Sequence, residues 1–163
     1  MVEVVLHLGS NVGDRELFLN QAIDIIENDL GLILSRSSLY ESEAWGKEDQ
    51  QDFLNIAIVI TTLLKPKDLL LKIKEVERNL GRVKKEHWGP RNIDVDIIFY
   101  GQEVIDVPGL KIPHVELQNR NFVLIPLLEI VGDKIHPVLK LSVEELYLNS
   151  MDHKEVWTYN ENQ

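Results

Sequence analysis

The stretch Phe53–Thr62 constrains the fold more than any other part of the chain. Its sequence, FLNIAIVITT, is largely apolar at both alternating sets of positions. Because successive side chains of a strand point to opposite faces, Phe53, Asn55 and Ala57 share one face and Leu54 and Ile56 share the other. A strand that is apolar on both faces is typical of the centre of a sheet. We therefore expect a sheet protein in which this strand is central.

Strand and helix patterns surround this central strand. Apolar residues at helical spacing predict one helix that Asp14 caps and Gly31 ends with a left-handed residue, and a second between Pro66 and Gly81. Further strands are predicted at Val2–Leu8, Leu32–Tyr40 and Ile93–Tyr100. The order strand, helix, strand, strand, helix, strand predicts an α+β protein with a ferredoxin-like βαββαβ sandwich and its helices on one face.

The last third of the chain extends this unit. A short hairpin is expected at Gln102–Ile105, a turn at Pro108 and Gly109, helices near Phe122–Ile130 and Val143–Leu148, and then a polar tail. No internal repeat or long linker interrupts the sequence. Residues 1–163 are therefore predicted to form a single domain with a C-terminal extension.

Composition excludes several classes of function. The net charge of -10 opposes binding to nucleic acid or to anionic membranes, so we expect neither as a partner. Without cysteine the chain has no disulfide, no thiolate nucleophile and no cysteine-based zinc site. No run of about 18 or more apolar residues and no signal-like leader is present, so we expect a cytoplasmic protein. We also expect a monomer.

Basic residues are concentrated in one segment of this acidic chain. Residues 78–91 carry a single acid, Glu86, beside Arg78, Arg82, Lys84, Lys85 and Arg91. A compact cationic segment suits a small, highly charged anion, since arginine can donate paired hydrogen bonds to phosphate. The alternative is a solvated basic loop without a ligand.

Two carboxylates interrupt the next apolar strand. Alternation places Asp94 and Asp96 on one face with Ile98 and Tyr100, and it places Ile93, Val95, Ile97 and Phe99 on the other. Their Cα atoms should lie roughly 6.6 Å apart, from which two carboxylates can bridge hard cations held about 4 Å from each other. Oxygen ligands favour Mg²⁺, whose other ligands come from water and phosphates. The alternative is an exposed pair that forms salt bridges to local lysines and arginines.

Metal-binding carboxylates beside arginines are typical of phosphoryl transfer. Gly9–Asp14 does not match a P-loop or a dinucleotide-binding loop, so another architecture must hold any nucleotide. Two alternatives remain open at this point. One is a two-metal phosphodiesterase or phosphatase with water as the nucleophile, and the other is a ferredoxin-like small-molecule sensor.

Ordered motifs over almost the whole chain resemble a known family, the hydroxymethyldihydropterin pyrophosphokinases of folate biosynthesis. The most specific motif is WGPRNIDVDI at 88–97. The others are LGSNVGD at 8–14, SSLYESEAWG at 37–46, DFLN at 52–55, GRVKKEH at 81–87, IPH at 112–114, RNFVLIPLLEI at 120–130 and HP at 136–137. The resemblance implies a ferredoxin-like fold and the transfer of pyrophosphate from ATP to the hydroxymethyl oxygen of a reduced pterin, which leaves AMP.

The resemblance also implies roles for the phosphate-binding residues. Asp94 and Asp96 match the ligands of two Mg²⁺ ions that bridge the ATP phosphates. Arg82 and Arg91 match catalytic-loop arginines that neutralise charge as the bond to the β-phosphorus breaks. Four further residues match family positions that hold ATP or close over it, namely Lys84, Trp88, His114 and Arg120. Because Gly81 and Gly89-Pro90 bracket the basic loop, we expect residues 82–91 to form a lid that closes after ATP binds.

The resemblance implies a pterin pocket as well. Asn55 is similar to the polar residue that contacts the ring edge, and Phe53 and Phe122 are similar to the stacking rings. The pocket is completed by Ser42, Glu43 and Trp45. An aromatic sandwich would favour a flat heterocycle, and an amide offers both a donor and an acceptor. The alternative for both phenylalanines is ordinary core packing.

Overall fold

The computed structural model describes residues 1–44, 50–81 and 92–160. Within these ranges the chain forms eight strands and four helices. The strands are β1 Val2–Ser10, β2 Leu32–Arg36, β3 Tyr40–Ser42, β4 Phe53–Thr62, β5 Asp94–Tyr100, β6 Ile105–Val107, β7 Leu110–Ile112 and β8 Val156–Thr158. The helices are α1 Arg15–Asp29, α2 Pro66–Asn79, α3 Asn121–Val131 and α4 Val143–Leu148.

One antiparallel sheet organises the chain, in the order β5-β1-β4-β3-β8, with β2 also paired to β4. β4 pairs with three strands and is central, which confirms the prediction from its sequence. β6 and β7 form a separate hairpin. The observed class is therefore a mixed α/β protein with an antiparallel sheet.

Helices cover both faces of this sheet. On the first, the α1/α2 face, alternate residues of β1 and β4 pack with the buried sides of α1 and α2, including Leu19, Ile26 and Ile73. On the second, the α3/α4 face, Ala57 and Val59 pack with residues of α3 and α4. The expectation of helices on one face is therefore incomplete, because the C-terminal third forms the second layer.

A bulge changes which side chains of β5 share a face. Val5 of β1 pairs with Phe99, but Leu6 pairs with Ile97, so Ile98 is the extra residue. After the bulge Phe99 packs on the α3/α4 face and Tyr100 on the α1/α2 face, the reverse of the predicted assignment. Asp94 and Asp96 precede the bulge, so their shared face is unaffected.

Helix termini were partly predicted. Asp14 caps α1 by accepting a hydrogen bond from the Leu17 N–H, and Gly81 follows α2 with a φ of +84°. Gly31 does not adopt the expected left-handed conformation. A Cβ atom there would lie 2.1 Å from the Thr61 carbonyl oxygen, so glycine is required by close backbone approach.

Three further boundaries differ from the expectations. The strand predicted at 32–40 is divided into β2 and β3, and the hairpin lies at residues 105–112, around the turn at Pro108 and Gly109. The tail is not merely polar, since β8 pairs with β3. In the described ranges no helix has the length and apolar character needed to cross a membrane.

Candidate active site

A row of three paired residues crosses the sheet at the end of β1. Gly9 lies opposite Asn55 of β4 on one side and opposite Asp94 of β5 on the other. Directly paired residues point to the same face, so the amide and the carboxylate flank the glycine on the α3/α4 face. The Cα atoms of Asn55 and Asp94 are thus separated by two strand spacings, roughly 10 Å.

The missing side chain of Gly9 leaves space in this row. A Cβ atom there would lie 3.5 Å from Asn55 Oδ1, 3.5 Å from a ring carbon of Phe53 and 3.9 Å from a ring carbon of His7. These are ordinary contact distances, so the surroundings already enclose the position. Gly9 therefore leaves a shallow depression on the sheet, bordered by the Asn55 amide and the rings of Phe53 and His7.

Neighbouring residues fix the orientation of the Asn55 side-chain amide. Its side chain is 1% exposed, and Nδ2 donates to Ser42 Oγ at 2.9 Å. Oδ1 is buried and has no hydrogen-bond partner among the described residues. A buried carbonyl oxygen without a partner is unfavourable unless a ligand supplies a donor. The site therefore presents an acceptor oriented by Ser42.

His7 and Phe122 form the next part of the α3/α4 face. The His7 ring lies edge-on to the Phe122 ring, with centroids 5.8 Å apart. His7 Nε2 donates to the Phe122 carbonyl oxygen at 3.1 Å, since a carbonyl can only accept. Burial lowers the pKa of His7 to about 4, so the ring is neutral at pH 7. This pairing joins the start of α3 to β1 and fixes the position of Phe122.

A cleft of about 370 Å³ opens beside the carboxylates. Asp94 and Asp96 line it with His114, and both carboxylate residues are partly exposed. Burial and the positive charge of Arg120 lower the pKa of His114, which favours its neutral ring. The Arg120 guanidinium lies 5.8 Å from the centroid of the Phe122 ring. His114 therefore lines the cleft, and Arg120 lies beside Phe122.

Several cleft residues were missed by sequence reasoning. Glu77 is buried and its Oε2 accepts from the Val95 N–H at 3.0 Å, which joins α2 to β5. Lys74 and Lys111 also line the cleft and supply positive charge. A signal existed for α2, because positions 70, 73, 74 and 77 recur at helical spacing and so share one side of the helix.

The carboxylates fit a hard cation that binds mainly through water and phosphate. Among the described residues no cluster of three or more potential metal-ligating histidines, cysteines, aspartates or glutamates occurs. A pair of carboxylates beside a partly open cleft matches the donor set of Mg²⁺ with substrate phosphates. It does not match a closed zinc site, which needs nitrogen or sulfur ligands around a tetrahedron.

The structure brings together three of the residues that were predicted to form a pterin pocket. Ser42, Phe53 and Asn55 meet where β3 pairs with β4. Phe122 contacts His7, the neighbour of this group on β1. Glu43 follows Ser42 directly and is exposed. The residues that lie outside the described ranges are Trp45, Arg82, Lys84, Trp88 and Arg91, together with the segment predicted to form a lid.

A buried amide at Asn55 and a cleft lined by two carboxylates thus lie on one antiparallel sheet. Residues 5–132 match the family model described as 7,8-dihydro-6-hydroxymethylpterin-pyrophosphokinase. The match covers more than half of the chain. The chain belongs to this family.

Relatives of similar length support the same assignment. The 2-amino-4-hydroxy-6-hydroxymethyldihydropteridine pyrophosphokinase of Aquifex aeolicus is 48% identical over 145 residues, which cover 89% of this chain and 90% of that protein. The protein of the same name from Haemophilus influenzae is 36% identical over 96% of this chain and 98% of its own length.

Other matches are to longer proteins. The bifunctional protein FolKE of Lactococcus lactis is 39% identical over 95% of this chain, but the match spans 47% of that protein. A crystal structure of wild-type Plasmodium falciparum HPPK-DHPS superposes on 90% of this chain and 40% of its own, with a TM-score of 0.72 and 20% identity. This chain therefore corresponds to one part of each fused protein, and the solved structure supports the fold.

Proposed function

We propose that this chain transfers pyrophosphate from ATP to the hydroxymethyl oxygen of 6-hydroxymethyl-7,8-dihydropterin, giving AMP and the pterin diphosphate in folate biosynthesis. Family membership supports the reaction. The observation in the structure that carries it is the row Asn55, Gly9 and Asp94. A flat ring lying over Gly9 would reach the amide with one edge and direct its substituent toward the carboxylates.

The pterin site is proposed to use hydrogen bonding and stacking together. Asn55 Oδ1 would accept from a ring N–H, which satisfies its buried oxygen. Phe53 and Phe122 would contact the ring faces, as aromatic residues do for nucleobases. Ser42 keeps the amide oriented, and Glu43 and Trp45 would complete the pocket.

ATP is proposed to bind in the cleft that Asp94, Asp96 and His114 line. Asp94 and Asp96 would hold two Mg²⁺ ions against its phosphates. When bound, Mg²⁺ neutralises charge that develops on phosphate oxygens. Arg120 adds a fixed positive charge near this cleft, since its charge acts on both His7 and His114. Lys84 and Trp88 would close over the nucleotide.

The proposed reaction is a displacement at the β-phosphorus. The hydroxymethyl oxygen forms a bond to this phosphorus, and the bond from the phosphorus to the α,β-bridging oxygen breaks. The electron pair remains on that oxygen, which leaves as part of AMP, and the alcohol proton passes to solvent. Arg82 and Arg91 would neutralise the charge on the transferred group. The remaining contribution of the chain is to position both substrates.

The chain is also proposed to have a ferredoxin-like core and to act on small molecules in the cytoplasm. The strand order β5-β1-β4-β2 supports a ferredoxin-like core, with α3, α4 and β8 as its C-terminal extension. Residues 1–163 would act as a single domain and a monomer in the cytoplasm. Both ATP and the pterin are small molecules, and the net charge of -10 opposes nucleic acid and membrane as partners.

The products of one incubation test this function against its alternatives. The chain is incubated with ATP, Mg²⁺ and 6-hydroxymethyl-7,8-dihydropterin, and both products are identified by mass spectrometry. AMP with pterin diphosphate is the expected result. AMP without a modified pterin would indicate a phosphodiesterase or phosphatase, ADP would indicate transfer of one phosphoryl group, and pterin binding without turnover would indicate a sensor.

A further inference from the structure

The C-terminal segment Asp152–Tyr159, here called the tail, contacts two separate walls of the proposed pterin pocket. It lies beyond the residues that match the family model. At its start it reaches the N-terminus of α3, next to Phe122, and at its end it pairs with β3, which carries Ser42. The two walls are also joined directly, since Tyr40 Oη at the start of β3 donates to Glu129 Oε1 of α3 at 2.7 Å.

Asp152 makes the contact with the α3 wall. Its Oδ2 accepts from the Asn121 backbone N–H at 2.8 Å, and its carbonyl oxygen accepts from Asn121 Nδ2 at 3.2 Å. Asn121 is the first residue of α3, where backbone N–H groups lack partners within the helix. A carboxylate there also interacts favourably with the helix dipole. Asp152 therefore fixes the end of α3 that presents Phe122.

The strand β8 makes the contact with the β3 wall. Val156 pairs with Ser42 and Trp157 pairs with Glu41. Trp157 Nε1 also donates to Glu41 Oε1 at 3.2 Å. On the other side of β3, Ser42 pairs with Phe53. β8 therefore supports β3, whose Ser42 hydroxyl orients the Asn55 amide.

An arginine on α1 completes the support of this wall. Arg15 Nη1 donates to Glu41 Oε2 at 2.7 Å and to the Asp52 carbonyl oxygen at 2.9 Å, directly before Phe53. The guanidinium also lies 5.7 Å from the ring centroid of Tyr159. The Arg15 and Glu41 side chains are only 14% and 21% exposed, which favours a fixed geometry. Glu41 thus links Arg15 to the tail.

We propose that the tail is a positioning element for the pterin, which holds the Phe122 wall and the Ser42 wall at the separation the ring requires. This inference rests on the proposed function, because it assumes that a pterin occupies the space between these walls. Asp152 and Trp157 act through Asn121 and Glu41 and do not touch the substrate. Their loss should weaken pterin binding and leave the ATP cleft unchanged.

Calorimetric titration of matched variants tests the tail. Each protein is titrated with the pterin in the presence of Mg²⁺ and α,β-methylene ATP, and separately with the nucleotide analogue alone. Asp152→Ala should raise the Kd for the pterin roughly tenfold, because a charge-assisted hydrogen bond is lost, and the nucleotide Kd should stay the same. Asp152→Asn keeps an acceptor oxygen and should restore most of the affinity.

The controls separate positioning from general destabilisation. Glu155→Ala removes the same charge from an exposed position of the same tail and should leave both affinities unchanged. Trp157→Phe removes the hydrogen bond to Glu41 and should weaken only pterin binding. Wild-type pterin affinity in Asp152→Ala, or equal losses for pterin and nucleotide, would overturn the proposal.

Hydrogen exchange distinguishes failure of this inference from failure of the proposed function. If the wild-type chain binds no pterin, the proposed function fails. The tail can still be assessed, because Asp152→Ala should speed amide exchange at residues 121–123 and Trp157→Phe at residues 40–43. Unchanged exchange at both walls would show that the tail does not hold them.

Discussion

The two faces of the sheet are built from the same strands but differ in chemistry. Among the described residues, the α1/α2 face packs mainly apolar side chains, and its few buried polar groups, such as Thr62 and Glu77, bond to the backbone of neighbouring elements. The α3/α4 face carries His7, Asn55, Asp94 and Asp96 toward one end of β1, β4 and β5. Its apolar residues lie farther along the same strands. One face supplies stability, while the other combines packing with binding.

One strand can contribute to both the apolar core and the candidate site. Along β1 and β4 alternate residues belong to different faces, so a polar residue on one face does not disturb packing on the other. His7 therefore lies between Leu6 and Leu8, and Gly9 follows Leu8, without interrupting the apolar core. Substitutions on the two faces should consequently affect different measured quantities.

The largest expected effect is on catalysis, from Asp94→Ala. Loss of a carboxylate that would bind metal ions and phosphates should lower kcat about a thousandfold, within the range seen when charge stabilisation is removed. Thermal stability should change little, because the residue is partly exposed. Initial rates of AMP formation measure the effect. Asp24→Ala, which removes an exposed carboxylate from α1, is the control, and an active Asp94→Ala would contradict the proposed metal site.

The next largest effect is expected for a substitution on the α1/α2 face, and it should lower the free energy of unfolding. Ile58 is fully buried among the residues of the α1/α2 core, so Ile58→Ala should lower the free energy of unfolding by about 2–5 kcal/mol. The kcat of the folded fraction should remain close to that of the wild type. Urea denaturation together with rate measurements tests both parts. A large fall in kcat with unchanged stability would remove the distinction between the faces.

A smaller effect is expected from Gly9→Ala, which adds a methyl group between Asn55 and Asp94. The added Cβ meets only ordinary contacts, so the variant should fold with nearly unchanged stability. Pterin affinity should fall about tenfold, equivalent to ~1.4 kcal/mol, because the methyl group occupies space above the sheet. Ser10→Ala changes the neighbouring residue and should not affect binding. Normal pterin affinity in Gly9→Ala would show that the ring lies elsewhere.

The smallest effect concerns pH and the packing of the α3/α4 face. Burial lowers the pKa of His136, whose Nδ1 accepts from the Val138 and Leu139 N–H groups. Because the folded-state pKa lies below the unfolded value of 6.5, this stability is present above pH 6.5 and is lost as pH falls below it. The loss should be about 1 kcal/mol at mildly acidic pH. Denaturation at several pH values should show a weaker dependence in His136→Gln, and an identical dependence would exclude this histidine as a cause.

The sequence predicted those features that depend on local periodicity. Alternation in Phe53–Thr62 correctly placed Asn55 beside Phe53 and identified the central strand, and Asp94 and Asp96 were correctly assigned to one face. Alternation fails at a bulge, so Phe99 and Tyr100 were assigned to the wrong faces. The register that places Gly9 between Asn55 and Asp94 depends on pairing between distant strands, which a single strand pattern does not contain.

Long-range contacts account for the other differences. Gly31 has a turn-like sequence context, yet the requirement for glycine comes from Thr61 on a neighbouring strand. β8 is only three residues long, and it forms a strand because β3 offers an unpaired edge. His7 carries no motif of its own, and its pairing with Phe122 depends on where α3 packs.

A crystal structure with Mg²⁺, α,β-methylene ATP and 6-hydroxymethyl-7,8-dihydropterin would show whether the two substrates meet along the row Asn55, Gly9 and Asp94. The proposed arrangement has the pterin ring over Gly9 with its edge at Asn55 Oδ1, and the hydroxymethyl oxygen directed toward a triphosphate held by metal ions at Asp94 and Asp96. A ring bound away from Asn55, or a triphosphate and metal ions that leave both carboxylates without contacts, would contradict it.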